Sequence, residues 1–159
     1  MGLPGCGKQA VGRALARRLR RPFLDLEALL RERMGSSPAP VAEEPEAEAR
    51  LRQLERELLE EMLKTPEAII ALGDETYLQA ENSRLLLRGS VLVYLRRDLL
   101  ALAAESGLKQ PELQDLHLRR VPILNALCDY AVRSDDSEVA ASVIVGHLAR
   151  NRVSKEEEA

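Results

Sequence analysis

Apolar residues recur at helical spacing over much of the chain. Val11, Leu15 and Leu19 stand four residues apart within residues 8 to 20, and arginines fill the positions between them. This spacing predicts an amphipathic first helix. The same periodicity, carried by leucine and methionine, predicts a strongly charged helix over residues 46 to 63. Further helices are predicted at 26 to 33, 81 to 87, 95 to 106, 112 to 127 and 137 to 150.

Short apolar runs separate these helices. Residues 67 to 72 and 90 to 95 are rich in β-branched side chains and have the pattern of buried parallel strands. Residues 22 to 25 form a short apolar run that ends in an acid, and residues 130 to 133 offer a last strand. The alternation of strands and helices predicts an α/β fold with a mostly parallel sheet.

Two segments contain few large apolar residues. Residues 34 to 50 contain three prolines, small residues and clustered glutamates, which predicts a mobile connection. The charged composition of residues 153 to 159 predicts a disordered acidic tail. The remainder, residues 1 to 152, is expected to form a single domain.

Composition narrows the possible functions. Apolar residues make up 45% of the 159 residues and charged residues 31%, as in ordinary soluble proteins. The net charge of −3 and the lack of tryptophan argue against nucleic acid as a partner. No apolar run approaches the ~20 residues that cross a bilayer, so we expect a cytoplasmic protein without a membrane partner. Cys6 and Cys128 are far apart, and we expect both to be reduced thiols.

The most specific functional motif of the sequence lies in its first residues. Residues 2 to 8, GLPGCGK, satisfy the pattern GxxxxGK and lead directly into the first predicted helix. Glycines let the backbone wrap around an anion, the amide N–H groups point inward, and the lysine reaches the outer phosphates. The pattern therefore predicts a nucleotide-binding loop. The alternative is a glycine-rich turn that merely opens a helix.

Two features depart from this pattern. Gln9 stands where a serine or threonine hydroxyl would bind Mg²⁺. The loop should also follow a strand, and none precedes Met1 in this sequence. We therefore expect a sheet without its central first strand, and reduced stability.

The order of the motifs resembles the shikimate kinase family over nearly the whole chain. The resemblance rests on GLPGCGKQAVGRALARRL followed by RPFLDLEALLRER, and then on LRQLERELL, AIIALGDE, VLVYLR and RRVPILNALCDYAV. It implies a three-layer α/β/α P-loop kinase fold and a monomer. It also implies a role in aromatic amino acid biosynthesis, with Mg²⁺-dependent transfer of the ATP γ-phosphate to a hydroxyl of shikimate or a similar small hydroxylated acid.

The resemblance assigns residues to the nucleotide and the metal. Lys8 and Asp25 take the catalytic positions, and Gln9 and Asp25 take the metal positions. A short lid is expected at about residues 105 to 118, with Lys109 in place of the lid arginine. The positions expected to bind ATP or ADP are Gly2, Gly5, Cys6, Gly7, Lys8, Gln9 and Lys109.

The resemblance likewise assigns the acceptor site, with residues 34 to 63 as a mobile substrate-binding insertion. Its positions are Glu27, Arg52, Gly73 and Arg120. Asp74 and Glu75 stand where the family has glycines, and their charges oppose an anionic acceptor.

Purely structural roles for some of these residues stay open as alternatives. Arg52 and Arg120 could be helix-surface arginines, and Glu27 could simply favour the first turn of a helix. Two alternatives to shikimate kinase activity also stay open. One is an impaired paralogue that acts as a nucleotide-binding or partner-binding module, and the other is a small kinase for a neutral or cationic acceptor.

Overall fold

A computed structural model describes residues 1–35 and 45–157, with side chains for residues 1–35 and 46–150. Helices and strands alternate along the chain, as the hydrophobic pattern predicted. The helices are α1 (Lys8–Leu19), α2 (Leu26–Met34), α3 (Pro45–Leu63), α4 (Ala80–Gly89), α5 (Leu99–Ser106), α6 (Gln110–Leu127) and α7 (Ser137–Glu157). The strands are β1 (Phe23–Asp25), β2 (Ile69–Ala71), β3 (Val93–Arg96) and β4 (Tyr130–Arg133). A single 3₁₀ turn (Thr76–Leu78) lies between β2 and α4.

The strands form two separate parallel pairs. β1 pairs with β2, with Phe23 opposite Ile69, and β3 pairs with β4, with Val93 opposite Tyr130. Parallel neighbours need long crossover connections, and here helices supply them. All four predicted strands are confirmed in position and direction, and so is the α/β class.

The space between the two pairs contains the start of the chain. The Met1 ammonium donates to the Val93 carbonyl at 2.9 Å, and the Leu95 amide donates to the Met1 carbonyl at 2.9 Å. Gly2 is bridged to Leu95 in the parallel direction. Beyond Met1 a cavity of about 450 Å³ separates β2 from β3. Among the described residues, therefore, no strand lies between β2 and β3. This agrees with the prediction made from the glycine-rich loop in the first residues of the sequence.

Helices cover both faces of this split sheet and build an aliphatic core. α1 packs against α7, α2 against α3, and α5 against α6. The side chains that are least exposed to solvent come from nearly every element, and they include Leu3, Leu26, Leu59, Tyr77, Leu102, Leu113 and Leu124. The core thus holds the loop after Met1 and the ends of the strands in fixed relation.

Some expected boundaries differ from those in the structure. The backbone of residues 153–157 continues α7, whereas the sequence predicted a disordered tail there. Lysine and glutamate are good helix formers, which explains the continuation. Residues 158–159 and most of the predicted mobile connection, residues 36–44, lie outside the described residues.

The predicted lid, residues 105–118, spans the end of α5, the connection 107–109 and the first half of α6. No described helix combines the length and apolar character needed to span a membrane.

We predict that stability depends on the Met1 ammonium. Burial lowers its pKa from 8.0 to about 6. Between those values the unfolded chain binds the proton and the folded chain releases it, so the free energy of unfolding should rise from pH 6 to pH 8. The rise should reach about 2 kcal/mol in urea denaturation. A chain acetylated at Met1 should lack this rise, and an equal rise in both forms would contradict the assignment.

Candidate functional site

The glycine-rich loop adopts the curled backbone that its sequence predicted. Gly5 and Gly7 have φ values of 81° and 83°, in the left-handed region that favours glycine. A Cβ at Gly5 would lie 2.7 Å from the Leu102 carbonyl oxygen, so the close packing of α5 also requires glycine there. Gly7 then caps the N-terminus of α1. The loop and the positive end of the helix together favour an anion.

Two side chains hold the carbonyl groups of this loop. The Arg97 Nη1 donates to the Gly5 carbonyl at 3.1 Å, and the buried Ser134 hydroxyl donates to the Cys6 carbonyl at 2.7 Å. Because N–H and C=O of one peptide group point in opposite directions, the anchored Cys6 carbonyl directs the Gly7 amide to the other side, whereas the Cys6 amide donates to the Leu3 carbonyl at 3.1 Å. Sequence reasoning missed both residues. The feature of the sequence that could have pointed to them is their position directly after a strand, Arg97 after β3 and Ser134 after β4.

Lys8 lies at the base of the loop in contact with an acid. The residue is only 7% exposed, and its Nζ forms an ion pair with Asp74, just beyond the end of β2. Burial disfavours the ammonium, but the neighbouring Cys6 and Asp74 groups outweigh it and raise the pKa of Lys8. Lys8 is therefore a cation, and an internal carboxylate already neutralises it.

Glu27 joins the same cluster from the first turn of α2. Its Oε1 accepts a hydrogen bond from the Asp74 amide at 3.1 Å. Burial raises the pKa of the Glu27 carboxyl, and the Asp74 carboxylate raises it further. Glu27 thus lies in the site and does more than favour a helix start.

Gly73 is enclosed by polar side chains. A Cβ there would lie 2.8 Å from the Thr76 hydroxyl oxygen and 3.1 Å from the Glu55 Oε1, which accepts a hydrogen bond from that hydroxyl. Burial raises the pKa of the Glu55 carboxyl. Glu55, which sequence reasoning did not assign, therefore forms a wall of the site, although it belongs to the motif LRQLE that supported the resemblance.

Arg120 reaches the cluster from the middle of α6. Its Nη2 forms an ion pair with the Glu75 Oε1 at 2.6 Å, and its Nη1 donates to the Asp74 carbonyl at 3.2 Å. Only 11% of the Arg120 side chain is exposed, so it is not an ordinary surface arginine. Its guanidinium adds a second cation, which like Lys8 is held by an acid of the segment after β2.

The other predicted positions lie farther from this cluster or have structural partners. Arg52 is exposed on α3 and pairs with Glu48, one turn earlier, which matches the surface alternative for this arginine. The Asp25 Oδ1 accepts the Ala28 amide at 3.2 Å and caps α2. Gln9 lies half-buried in the first turn of α1. Lys109 is exposed, and its amide donates to the Glu112 carboxylate at the start of α6.

Gly2 and Cys6 serve the packing of the loop. A Cβ at Gly2 would lie 2.9 Å from the Leu95 carbonyl oxygen, so glycine is required at the sheet bridge. Cys6 is 1% exposed, and burial raises the pKa of its thiol, so it acts as a small filler. The cysteines Cys6 and Cys128 are both free, as expected. Within residues 1–35 and 46–150, no three His, Cys, Asp or Glu side chains are grouped to hold a metal ion.

We predict that removing the Ser134 hydroxyl weakens binding of ADP at the loop. Ser134→Ala leaves the Cys6 carbonyl unsatisfied, which should cost about 1 kcal/mol of stability and raise the ADP dissociation constant several-fold. Ser134→Thr keeps the hydroxyl and should restore binding. Calorimetric titration with ADP measures the effect.

The matched control is Ser83→Ala. The Ser83 hydroxyl also donates to a backbone carbonyl, that of Tyr77, at 2.6 Å, but it lies away from the loop. This variant should lose similar stability without losing affinity for ADP. Equal losses of affinity in both variants would show that Ser134 has no specific effect on the loop.

Comparison with known proteins agrees with this geometry. The family model of shikimate kinase matches residues 4–145. The chain is 33% identical to the shikimate kinase of Bordetella pertussis over 158 residues, covering 90% of this chain and 72% of that protein. It is 34% identical to the shikimate kinase of Thermobifida fusca over 160 residues, covering 93% of this chain and 92% of that protein.

Solved structures have the same fold. Shikimate kinase from Acinetobacter baumannii, solved in complex with shikimate, superimposes with a TM-score of 0.83 at 25% identity over 94% of this chain and 91% of that one. Shikimate kinase from Aquifex aeolicus gives a TM-score of 0.83 at 24% identity, covering 96% of this chain and 95% of that one. The P-loop kinase fold is thereby confirmed, and the chain belongs to the shikimate kinase family.

Proposed function

We propose that this protein transfers the γ-phosphate of ATP to a hydroxyl group of shikimate or a closely similar hydroxylated acid. The observation that carries the proposal is the convergence of a curled glycine loop, buried Lys8 and Arg120 at one edge of the sheet. In open α/β sheets, ligands bind in the crevice outside the carboxyl ends of the strands. Similarity to kinases over most of the chain favours phosphotransfer over a module without activity.

The loop supplies the nucleotide site. The Gly7 amide, together with the N-terminus of α1, would face the β- and γ-phosphates. Lys8 would exchange its contact with Asp74 for a contact with these phosphates. Gln9 and Lys109 are the remaining candidates for nucleotide contacts, and the connection 107–109 is the proposed hinge of the lid.

Asp25 and Gln9 would provide the oxygen donors for Mg²⁺. Magnesium usually keeps several waters and takes only one or two carboxylates besides substrate phosphates, so a single acid with an amide oxygen is a suitable donor set. When bound, the ion would neutralise phosphate charge. Phosphoryl transfer then depends on alignment and on spreading the charge, with little covalent chemistry for the protein.

Of the two arginines proposed for the acceptor site, Arg120 lies in the cluster and Arg52 lies away from it. Arg120 would bind the acceptor carboxylate, and Arg52 would join it only if α3 or its side chain turned toward the site. Glu27 would accept a hydrogen bond from the reacting hydroxyl, and Gly73 would leave room for the ring.

Glu75 opposes binding of an anionic acceptor. The Glu75 carboxylate is already paired with the Arg120 guanidinium, so an acceptor carboxylate would have to displace Glu75. Two unit charges of like sign 4 Å apart repel by about 4 kcal/mol at an effective dielectric constant near 20. This repulsion supports a second candidate function, a kinase of the same mechanism for a neutral or cationic hydroxyl acceptor.

We further propose that residues 1–152 act as one monomeric domain in the cytoplasm, with ATP or ADP and a small acceptor as its partners. Residues 34–63 would carry acceptor contacts, and residues 105–118 would form the lid over the nucleotide. The net charge of −3 gives no electrostatic reason for nucleic acid to bind.

The proposal predicts turnover that requires Lys8. In an assay that couples ADP release to a signal, the protein with ATP, Mg²⁺ and shikimate should turn over, and Lys8→Ala should lower kcat/KM at least about a hundredfold. Lys64→Ala, which removes an exposed lysine at the end of α3, should have no effect.

The same assay separates the two candidates. Turnover with neutral polyols or amino alcohols, and none with shikimate, would favour the second acceptor class. ADP release that is equal in the presence and absence of every acceptor, or that persists in Lys8→Ala, would contradict both.

A further inference from the structure

A groove lined by arginines lies at the C-terminal end of α1, away from the glycine-rich loop. The loop precedes α1, and this helix of 12 residues is about 18 Å long, so the loop and the groove lie toward opposite ends of it. The volume of the groove is about 490 Å³, which suits a small molecule. We call it the basic groove, and its lining residues are Arg13, Ala16, Arg17, Arg20, Arg21 and Phe23.

Close packing of α1 on β1 fixes one wall of the basic groove. A Cβ at Gly12 would lie 2.4 Å from the Phe23 Cε2, so the helix rests directly on the ring. The guanidinium carbon of Arg13 lies 5.6 Å from the centroid of the same ring, within the range of a cation–π contact. Ala16 is buried and short, which leaves room beside the ring. The wall and one cation are therefore held in place before any ligand binds.

Internal carboxylates neutralise only part of the charge in the basic groove. Arg17 pairs with Glu138 at 2.7 Å, but Glu138 also pairs with Arg18 of the same helix at 3.0 Å. Arg21 pairs with Glu67 at 2.7 Å. One of these two acids is thus shared between two arginines.

Arg13 and Arg20 keep their full charge. Both are exposed, and within the part of the chain whose side chains are described neither forms an ion pair with a carboxylate. The C-terminus of a helix favours cations in its last turn, but Arg13 lies before that turn. Like charges four residues apart, as in Arg13 and Arg17, destabilise a helix. In a chain of net charge −3, this local positive cluster therefore indicates a site for an anion.

We propose that the basic groove binds a small oligophosphate anion through Arg13, Arg17 and Arg20. A guanidinium presents its N–H groups in a planar fork that matches the oxygens of a phosphate group. At least two negative charges are needed to neutralise Arg13 and Arg20, and a short phosphate chain carries them within a small volume. An inorganic phosphate chain and the phosphates of a nucleotide offer the same chemistry. This inference does not depend on the proposed enzymatic function.

The test uses Phe23, which is the one phenylalanine of the chain. Labelled phenylalanine therefore gives ring signals in NMR spectra from the basic groove alone. Tripolyphosphate is titrated into the full chain in about 0.1 M sodium chloride, which screens weak long-range attraction. We expect saturable shifts of the Phe23 signals. The double variant Arg13→Gln, Arg20→Gln should raise the dissociation constant at least about tenfold.

The matched control is the double variant Arg84→Gln, Arg88→Gln, which removes two exposed arginines from α4. It lowers the net charge of the chain by the same amount but should leave the titration of Phe23 unchanged. Without ligand, the loss of Arg13 and Arg20 should not lower the unfolding midpoint, because neither has an ion pair to lose. Equal weakening of binding in both double variants would overturn the proposal, since only the net charge would then matter.

Two further titrations separate the basic groove from the loop and one ligand source from the other. Lys8→Ala should leave the tripolyphosphate titration of Phe23 unchanged, because Lys8 lies at the other end of α1. ATP carries the same three phosphates. Larger shifts with ATP would support the groove with a nucleotide as its ligand, and equal or smaller shifts would support it with the phosphate chain itself.

Two results would contradict the site. One is loss of the Phe23 shifts in Lys8→Ala, because the anion would then act from the loop. The other is a set of shifts that sodium chloride of the same ionic strength reproduces, because the effect would then be screening and not binding.

Discussion

The contact between Lys8 and Asp74 links the buried ammonium of the glycine-rich loop to the acidic segment after β2. It joins the start of α1 to the segment after β2, at a place where Lys8 is buried and Asp74 is half-buried. A buried ammonium is costly unless an opposite charge accompanies it, and Asp74 provides that charge. The Asp74 backbone in turn binds Glu27 through its amide and Arg120 through its carbonyl. One acidic segment thus connects the proposed nucleotide side and the proposed acceptor side of the site.

For the proposed function, this arrangement makes substrate binding a competition. Phosphate would have to take Lys8 from Asp74, and an acceptor carboxylate would have to take Arg120 from Glu75. The cations are therefore positioned in advance, but part of the electrostatic gain of binding is offset by the loss of internal ion pairs. The loop itself is held independently, because Arg97 and Ser134 anchor its carbonyls from the ends of the other strand pair. Affinity and loop geometry can thus change separately.

Structural features that depend on local periodicity could be predicted from the sequence. Features that depend on the direction in which a side chain points could not. Helical spacing and β-branched runs placed the helices and all four strands, and the glycine pattern predicted the curled loop. Arg52 and Arg120 looked alike in sequence, yet α3 leaves one exposed and α6 buries the other. Ser134 and Arg97 carry no motif, since their roles arise from where a strand ends. The pairing of Lys8 with Asp74 required the fold, although the acids at 74 and 75 were already conspicuous as replacements for glycine.

Calorimetric titration of ADP into the original chain and into Asp74→Asn tests the central competition most directly. The substitution keeps the size of the side chain and removes its charge, so Lys8 becomes available to phosphate. The competition predicts that the variant binds ADP roughly tenfold more tightly, which corresponds to about 1.4 kcal/mol. Glu138→Gln, which weakens exposed ion pairs with Arg17 and Arg18 of α1, serves as the control and should leave affinity unchanged. Unchanged or weaker binding by Asp74→Asn would contradict the competition between Asp74 and phosphate.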